Sequence, residues 1–176
     1  MRIRLATDAD TGLTTQLRLA FLADHRGIDP TTFPSAFAEA TAAFMADRHR
    51  AGDLLTWLAE PDGSEDEGNE VEGIVSMLLH RVPPRPSVDD QGGPAPSADQ
   101  LSLADELGTI EGYVINLFVP PLSRRQGIGG YLLDACVARA RSDGYRRLTL
   151  HATDDGLPLY ERTGFAPNPR WMELPL

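Results

Sequence analysis

The stretch Arg124-Arg125-Gln126-Gly127-Ile128-Gly129-Gly130 follows an apolar run and opens an amphipathic one. Behind it, Ile128, Leu132, Leu133, Cys136 and Ala140 recur at helical spacing, which predicts a helix from Gly127 to Ser142, stopped by Asp143 and Gly144. A helix that begins here presents backbone N–H groups with no intrahelical partner and a partial positive charge, so it can hold a phosphate. Gly127 and Gly129 lack the Cβ atoms that would keep a diphosphate at a distance, and Arg124 and Arg125 add positive charge at the rim. The pattern therefore implies a diphosphate ligand. Two common sources of such a pattern are excluded. A dinucleotide fingerprint needs a third glycine where Leu132 stands, and a P-loop needs a Gly-Lys-Ser/Thr run, whereas no lysine is present here.

Outward from this stretch the chain alternates between strand and helix patterns. Thr109 to Val119 reads as a strand and Pro120 to Gln126 as a turn. On the other side, Arg146 to Ala152 alternates as a strand, Leu157 to Thr163 makes a short helix ending at Gly164, and Phe165 to Leu174 can supply a last strand or two. At the start, Arg2 to Ala6 reads as a strand, and Thr7 with Asp10 forms a capping-box-like helix start. Leu13, Leu17, Ala20 and Phe21 then mark the buried stripe of a first helix. A second helix is expected from Pro34 to about Arg50, with Phe37, Ala40, Phe44 and Met45 on one side and Gly52 as its stop. Two strands follow, Leu54 to Ala59 and Val71 to Leu79, joined by a flexible acidic loop near 61–70. Residues 82–104 are rich in Pro, Gly, Ser and Asp and read as a mobile insertion inside one domain spanning 1–176. The order implies an α/β (α+β) fold with a mixed sheet flanked by helices.

The glycine-rich stretch resembles motif A of the GNAT acetyltransferases, Arg/Gln-x-x-Gly-x-Gly/Ala, which Arg124, Gly127 and Gly129 match in register. Asn116-Leu117-Phe118-Val119-Pro120-Pro121 resembles the family's fourth strand, and Leu159-Tyr160-Glu161-Arg162-Thr163-Gly164-Phe165 is similar to its Leu-Tyr-Glu-Lys-x-Gly-Phe segment. The resemblance covers about Gly112 to Phe165. It implies a mostly antiparallel central sheet and acetyl-CoA as acetyl donor. Leu117, Phe118 and Val119 would hold the pantetheine arm through the main chain, and Arg124, Arg125, Gln126, Gly127, Ile128, Gly129 and Gly130 would hold the diphosphate. It also implies direct attack of a neutral amine on the thioester, with a strand-four N–H, that of Val119 or Leu117, polarising the carbonyl. Tyr160 would protonate the leaving sulfur as general acid.

For the general base, the family often uses a glutamate on strand four. In this chain that position is Tyr113, and Glu111, one pleat away on the same face, is the candidate. His151 is a second titratable group, read as a structural hydrogen bonder. Cys136 lies on an apolar stripe and reads as a core residue, which disfavours a covalent enzyme intermediate. Family members that acetylate the N-terminal alanine of ribosomal proteins carry a glutamate and an asparagine where Leu148 and Thr153 stand, so that substrate is disfavoured.

A net charge of -10 and a pI near 4.7 argue against nucleic acid or an anionic membrane surface as partner, and suit a cationic acceptor. One cysteine permits no internal disulfide, and no segment approaches the ~20 apolar residues of a membrane span, so a cytoplasmic protein is expected. The acceptor is expected to be a small-molecule amine. A peptide or protein amine, and a non-catalytic acyl-CoA sensor, are the alternatives. A homodimer is left open.

Overall fold

The computed structural model describes residues 1–62, 71–83, 109–168 and 174. Strand β1 (Arg2–Leu5) leads into helices α1 (Thr11–Arg26) and α2 (Ser35–Ala51). Strands β2 (Leu54–Glu60), β3 (Gly73–Val82) and β4 (Thr109–Phe118) follow, then helix α3 (Ile128–Ser142), strand β5 (Leu148–Thr149) and helix α4 (Leu157–Thr163). The sheet runs β1-β2-β3-β4-β5 in chain order, antiparallel throughout except for the parallel pair β4 and β5. This is the mixed sheet that the element order implies, in the mostly antiparallel form that the family resemblance implies.

Two apolar layers flank the sheet. On one face the stripe Ile128, Leu132, Leu133, Cys136 and Ala140 of α3 packs on Trp57, Ala59, Val75, Met77 and Val114. Each fully buried Leu or Ile there contributes roughly 1.5–3 kcal/mol relative to exposure. On the other face Leu17 of α1 packs with Leu58, Ile74 and Phe118, and Leu13, Ala20 and Phe21 close its edge. Asp10 accepts from the Thr7 N–H at 2.7 Å and from both Arg4 Nη atoms at 2.8 Å, which ties the start of α1 to β1. Gly27 and Gly52 end α1 and α2 in left-handed conformations.

Three expectations change. In α2 only Met45 is buried, while Phe37 and Phe44 are 40% and 47% exposed. Phe37 packs against Phe33 of the preceding turn, ring centroids 5.1 Å apart, instead of on the sheet. The strand expected from Arg146 to Ala152 contracts to two residues. Its pairing with β4 ends at Tyr113 and Thr149, and past that point β4 bends away. Phe165 to Asn168 take no strand conformation, and the rest of that expected strand lies outside the described residues, as do 63–70 of the acidic loop and 84–104 of the insertion.

The bend in β4 is a bulge. Between the pairs Ser76–Ile115 and Ile74–Phe118, β4 has one residue more than β3, and Asn116 takes φ +57°, which is uncommon for a residue with a side chain. As a result Leu117 and Val119 face the α3 layer, whereas Asn116 and Phe118 face α1. No helix among the described residues is long and apolar enough to cross a membrane.

Candidate active site

Where β4 and β5 part, a cleft of about 910 Å³ opens between the C-terminal half of α1, the start of α3 and α4. Its floor is the end of β4, its roof α4, and its rim the turn from Ser123 to Gly129. A 3-10 turn (Pro121–Ser123) brings the chain from β4 to this rim. Arg125 at φ +66° and Gly127 at φ +83° both turn left-handed there. Such strain in a residue with a side chain is a feature of ligand-binding turns. Gly127 caps α3, so the N–H groups of Ile128 and Gly129 open the helix with no carbonyl one turn behind them. Gly130 already donates to the Gly127 carbonyl at 2.9 Å.

Of the residues expected to hold the donor, Leu117, Phe118, Val119, Arg124, Arg125, Gly127, Ile128 and Gly129 line the cleft together with Tyr160, and Gln126 and Gly130 do not. Gly129 stands against α4: a Cβ there would lie 3.3 Å from Leu159 Cδ2 and 3.9 Å from Val119 Cγ2. The two arginines differ in role. Arg124 donates from Nε to the Val119 carbonyl at 3.0 Å and from Nη2 to Asp24 of α1 at 2.6 Å, which clamps the rim to α1 and neutralises its charge. Arg125 forms no ion pair among the described residues and remains available to an anion.

Tyr160 is 9% exposed and packs edge-on against Phe165, centroids 6.0 Å apart. A Cβ on Gly156 would meet its ring at 2.8 Å, so glycine at that position lets the ring lie down over the backbone. Its hydroxyl has no hydrogen-bond partner among the described residues, and the residue lines the cleft. Burial pushes this phenol above its ordinary value, which keeps its proton in place at neutral pH.

Glu111 is not brought to the cleft. It is 4% exposed on the α1 face of β4, and Arg147 holds its carboxylate at 2.8 Å. Position 113, where the family pattern places a carboxylate, carries Tyr113, whose hydroxyl lies 2.5 Å from His151 Nδ1. That pair flanks the β4–β5 gap, and no spacing rule in the sequence connects residues 113 and 151. Cys136 is fully buried beside Met77 Sδ at 3.9 Å, and burial pushes its thiol up to about 12, so it supplies no thiolate.

Sequence reasoning missed the α1 side of the cleft. Phe21, Asp24 and His25 line it, with Phe21 stacked on His25 at 6.2 Å and edge-on to Phe118 at 6.2 Å. The helical spacing 21, 24, 25 was the available signal, but it reads equally as a core stripe.

A family model for an acetyltransferase (GNAT) domain matches residues 101–170. Among solved structures, the chain is similar over 99% of its length to a GCN5-related N-acetyltransferase from Ralstonia eutropha, at 27% identity, 97% of that chain and a TM-score of 0.72. A predicted acetyltransferase from Clostridium acetobutylicum, solved with acetyl-CoA, matches 99% of this chain and 95% of its own at 24% identity and a TM-score of 0.73. A ribosomal-protein-alanine N-acetyltransferase from Brucella melitensis shares the fold at 18% identity, 100% and 99% coverage and a TM-score of 0.58. None of the curated proteins compared matches the chain. The bulged fourth strand, the glycine-opened helix and the tyrosine on the last described helix thus occur in a chain whose residues 101–170 match the acetyltransferase (GNAT) domain model and which is similar along its length to a GCN5-related N-acetyltransferase.

Proposed function

We propose that the chain transfers an acetyl group from acetyl-CoA to the primary amine of a small molecule. The observation that carries this reading is the convergence on one cleft of a helix N-terminus, the end of strand β4 and a tyrosine hydroxyl with no hydrogen-bond partner among the described residues. The residues present fit the donor. The N–H groups of Ile128 and Gly129, with Arg125 beside them, suit a diphosphate, and the backbone of Leu117 to Val119 suits an amide-bearing arm. When bound, acetyl-CoA supplies a thioester carbonyl open to attack and a thiol leaving group.

The Val119 N–H, just past the last ladder residue of β4, has no backbone acceptor among the described residues and is placed to polarise a carbonyl oxygen at the strand end. Tyr160, which lines the cleft, gives its proton to the departing sulfur. The proton of the incoming amine goes to His151 or to water. His151 is exposed at the β4–β5 gap beside the Tyr113 hydroxyl, and in the tautomer whose Nδ1–H donates to that hydroxyl Nε2 is left to accept. Glu111, tied to Arg147, is left out of the chemistry.

Calorimetry with acetyl-CoA, followed by mass spectrometry of products from an amine library that includes short peptides, tests the reading. Acetylated small amines are expected. Binding with no product from any amine would make the domain a sensor, and product from peptides alone would move the acceptor to the protein class.

A further inference from the structure

Among the described arginines that are not solvent-exposed, Arg4, Arg48 and Arg139 each hold a carboxylate, at 2.8 Å, 3.2 Å and 2.5 Å. The fourth, Arg18, holds none among the described residues. Its described polar partner is the Asn116 side chain, whose Oδ1 accepts from Nη1, and its guanidinium lies 5.6 Å from the centre of the Phe21 ring. A guanidinium carries five N–H donors, so most of those on Arg18 have no described acceptor. Taking a cation out of water with no counter-charge is unfavourable, and proteins keep such an arrangement where a ligand supplies the charge. Burial and the like charge of Arg26 both act against the Arg18 cation, and no described carboxylate acts for it.

Arg18 is also held in place. Asn116 sits at the bulge, and its Nδ2 donates to Ser76 Oγ at 3.5 Å, a long bond. Ser76 Oγ lies 2.9 Å from Thr56 Oγ1, and Thr56 Oγ1 lies 2.9 Å from His49 Nε2. This buried polar row crosses β4, β3 and β2 beneath α1 and α2, and it fixes which end of the Asn116 amide faces Arg18. Arg18, Asn116, Tyr113 and His151 stand beside the donor cleft without lining it; its wall on the α1 side is Phe21, Asp24 and His25. Leu117 and Val119 face the donor, whereas Asn116, Tyr113 and Arg18 face the space beneath α1. In this reading an amine attacking a thioester held along Leu117 to Val119 arrives from that space.

We propose that Arg18, beside Tyr113 and His151 on the α1 face of the β4–β5 gap, binds a carboxylate on the acceptor, so that the acceptor is an amine that also carries a carboxylate. This rests on the acetyl-transfer reading and narrows its acceptor class. It also departs from the net charge of -10, which points to a cationic partner: the local field at the gap, not the total, selects the group.

The test uses matched probes: glycine, β-alanine and phenylalanine against their carboxamides, with phosphoethanolamine as a second anionic amine, and thiol release from acetyl-CoA as readout. The expected result is a preference in kcat/KM for at least one carboxylate over its carboxamide by about 10-fold to 100-fold, the scale of a charge-assisted hydrogen-bonded pair. Arg18→Gln should bring the pair near parity and Arg18→Lys should restore part of the preference, with acetyl-CoA affinity unchanged in both. A second readout needs no turnover: with CoA bound, N-acetylglycine should bind more tightly than N-acetylglycinamide by calorimetry, and Arg18→Gln should erase the difference. Carboxamides used as well as carboxylates by the unmodified protein would overturn the inference while leaving acetyl transfer standing. A preference for phosphoethanolamine over every carboxylate would overturn it too, as would a carboxylate preference that survives in Arg18→Gln. If acetyl-CoA binds but no amine reacts and neither product analogue binds, both readings fall. If Arg18→Gln does not fold, the unmodified protein's discrimination alone decides.

Discussion

The two sides of the β4–β5 gap are built in different ways. The proposed donor side comes largely from one run of chain, Leu117 to Gly129, closed by the short helix that carries Tyr160. The proposed acceptor side draws Arg18 from α1, Tyr113 and Asn116 from β4, and His151 from beyond β5. A diphosphate held by backbone N–H groups needs a turn and glycines, which adjacent residues can supply. An acceptor pocket needs side chains of particular charge at particular points, and distant segments can supply those as readily as neighbours. The donor side therefore carries a motif, and the acceptor side carries only residues that fold brings together.

The sharpest way to break this contrast is to block the donor side. In Gly129→Val the Cβ would press Leu159 Cδ2 at 3.3 Å and its methyl groups would fill the space in front of the helix start. Acetyl-CoA affinity should fall roughly 100-fold or more, the effect of a steric penalty of about 3 kcal/mol, while the fold by circular dichroism persists. Unchanged affinity in calorimetry would remove the assignment of the helix start to the diphosphate. The next effect is on rate. Tyr160→Phe retains the ring packing on Phe165 and removes only the unpaired hydroxyl, so acetyl-CoA affinity should hold and single-turnover transfer should drop by about 100-fold, the low end for general acid catalysis. Equal single-turnover rates would make Tyr160 a packing residue.

This difference also explains what could be read from the sequence. The α3 stripe was legible because each of its five residues is set by one helix meeting one sheet face, and all five are buried. The α2 stripe was not, because periodicity states which residues share a side and not whether a sheet lies under it. Phe37 and Phe44 share a side and face outward. Strand β5 was overdrawn for a related reason: alternation continues to Ala152, but a strand also needs a neighbour, and the bulge at Asn116 takes β4 away after Tyr113. The bulge left no mark in the sequence, since Asn116 is one of the few non-glycine residues that takes a left-handed turn with ease and asparagine has many other uses. Arg18 stood on the first helix unremarked because the property that distinguishes it, the lack of a carboxylate partner among the described residues, exists only in three dimensions.

Glu111 sharpens the comparison from inside β4. It lies on the acceptor face but is bound to Arg147, so Glu111→Gln should cost stability instead of chemistry. The loss should be about 1–2 kcal/mol, because Arg147 is half in water and recovers solvation when its partner is removed. Chemical denaturation and turnover measured on the same preparation separate the two roles. A variant as stable as the parent but unable to turn over would return Glu111 to the chemistry as the base.

The smallest effect concerns the anchor of the acceptor wall. Asp10 ties α1 to β1 and so sets where Arg18 stands. Its carboxylate accepts from both Nη atoms of Arg4 at 2.8 Å, from the Thr7 N–H at 2.7 Å and from Thr7 Oγ1 at 2.9 Å. The Arg4 hydrogen bonds, with help from Thr7 and against burial, hold this carboxyl well below the usual carboxylate range. A group whose folded pKa lies below its unfolded value of ~3.9 binds protons more readily when unfolded, so its contribution is complete above that value and fades as pH falls below it. Asp10→Asn should lower stability near pH 7 by only about 1 kcal/mol, since Arg4 keeps Glu60 at 2.6 Å as a second partner. The gap in unfolding midpoint between parent and variant should stay constant from pH 7 to about 5 and close progressively below about 4. Thermal unfolding at pH 7, 5, 4 and 3 measures it. A gap that persists unchanged at pH 3 would mean that Asp10 acts by shape and not by charge. The position of Arg18 would then depend on packing of α1 alone, and its carboxylate selectivity should be independent of the Arg4 pair.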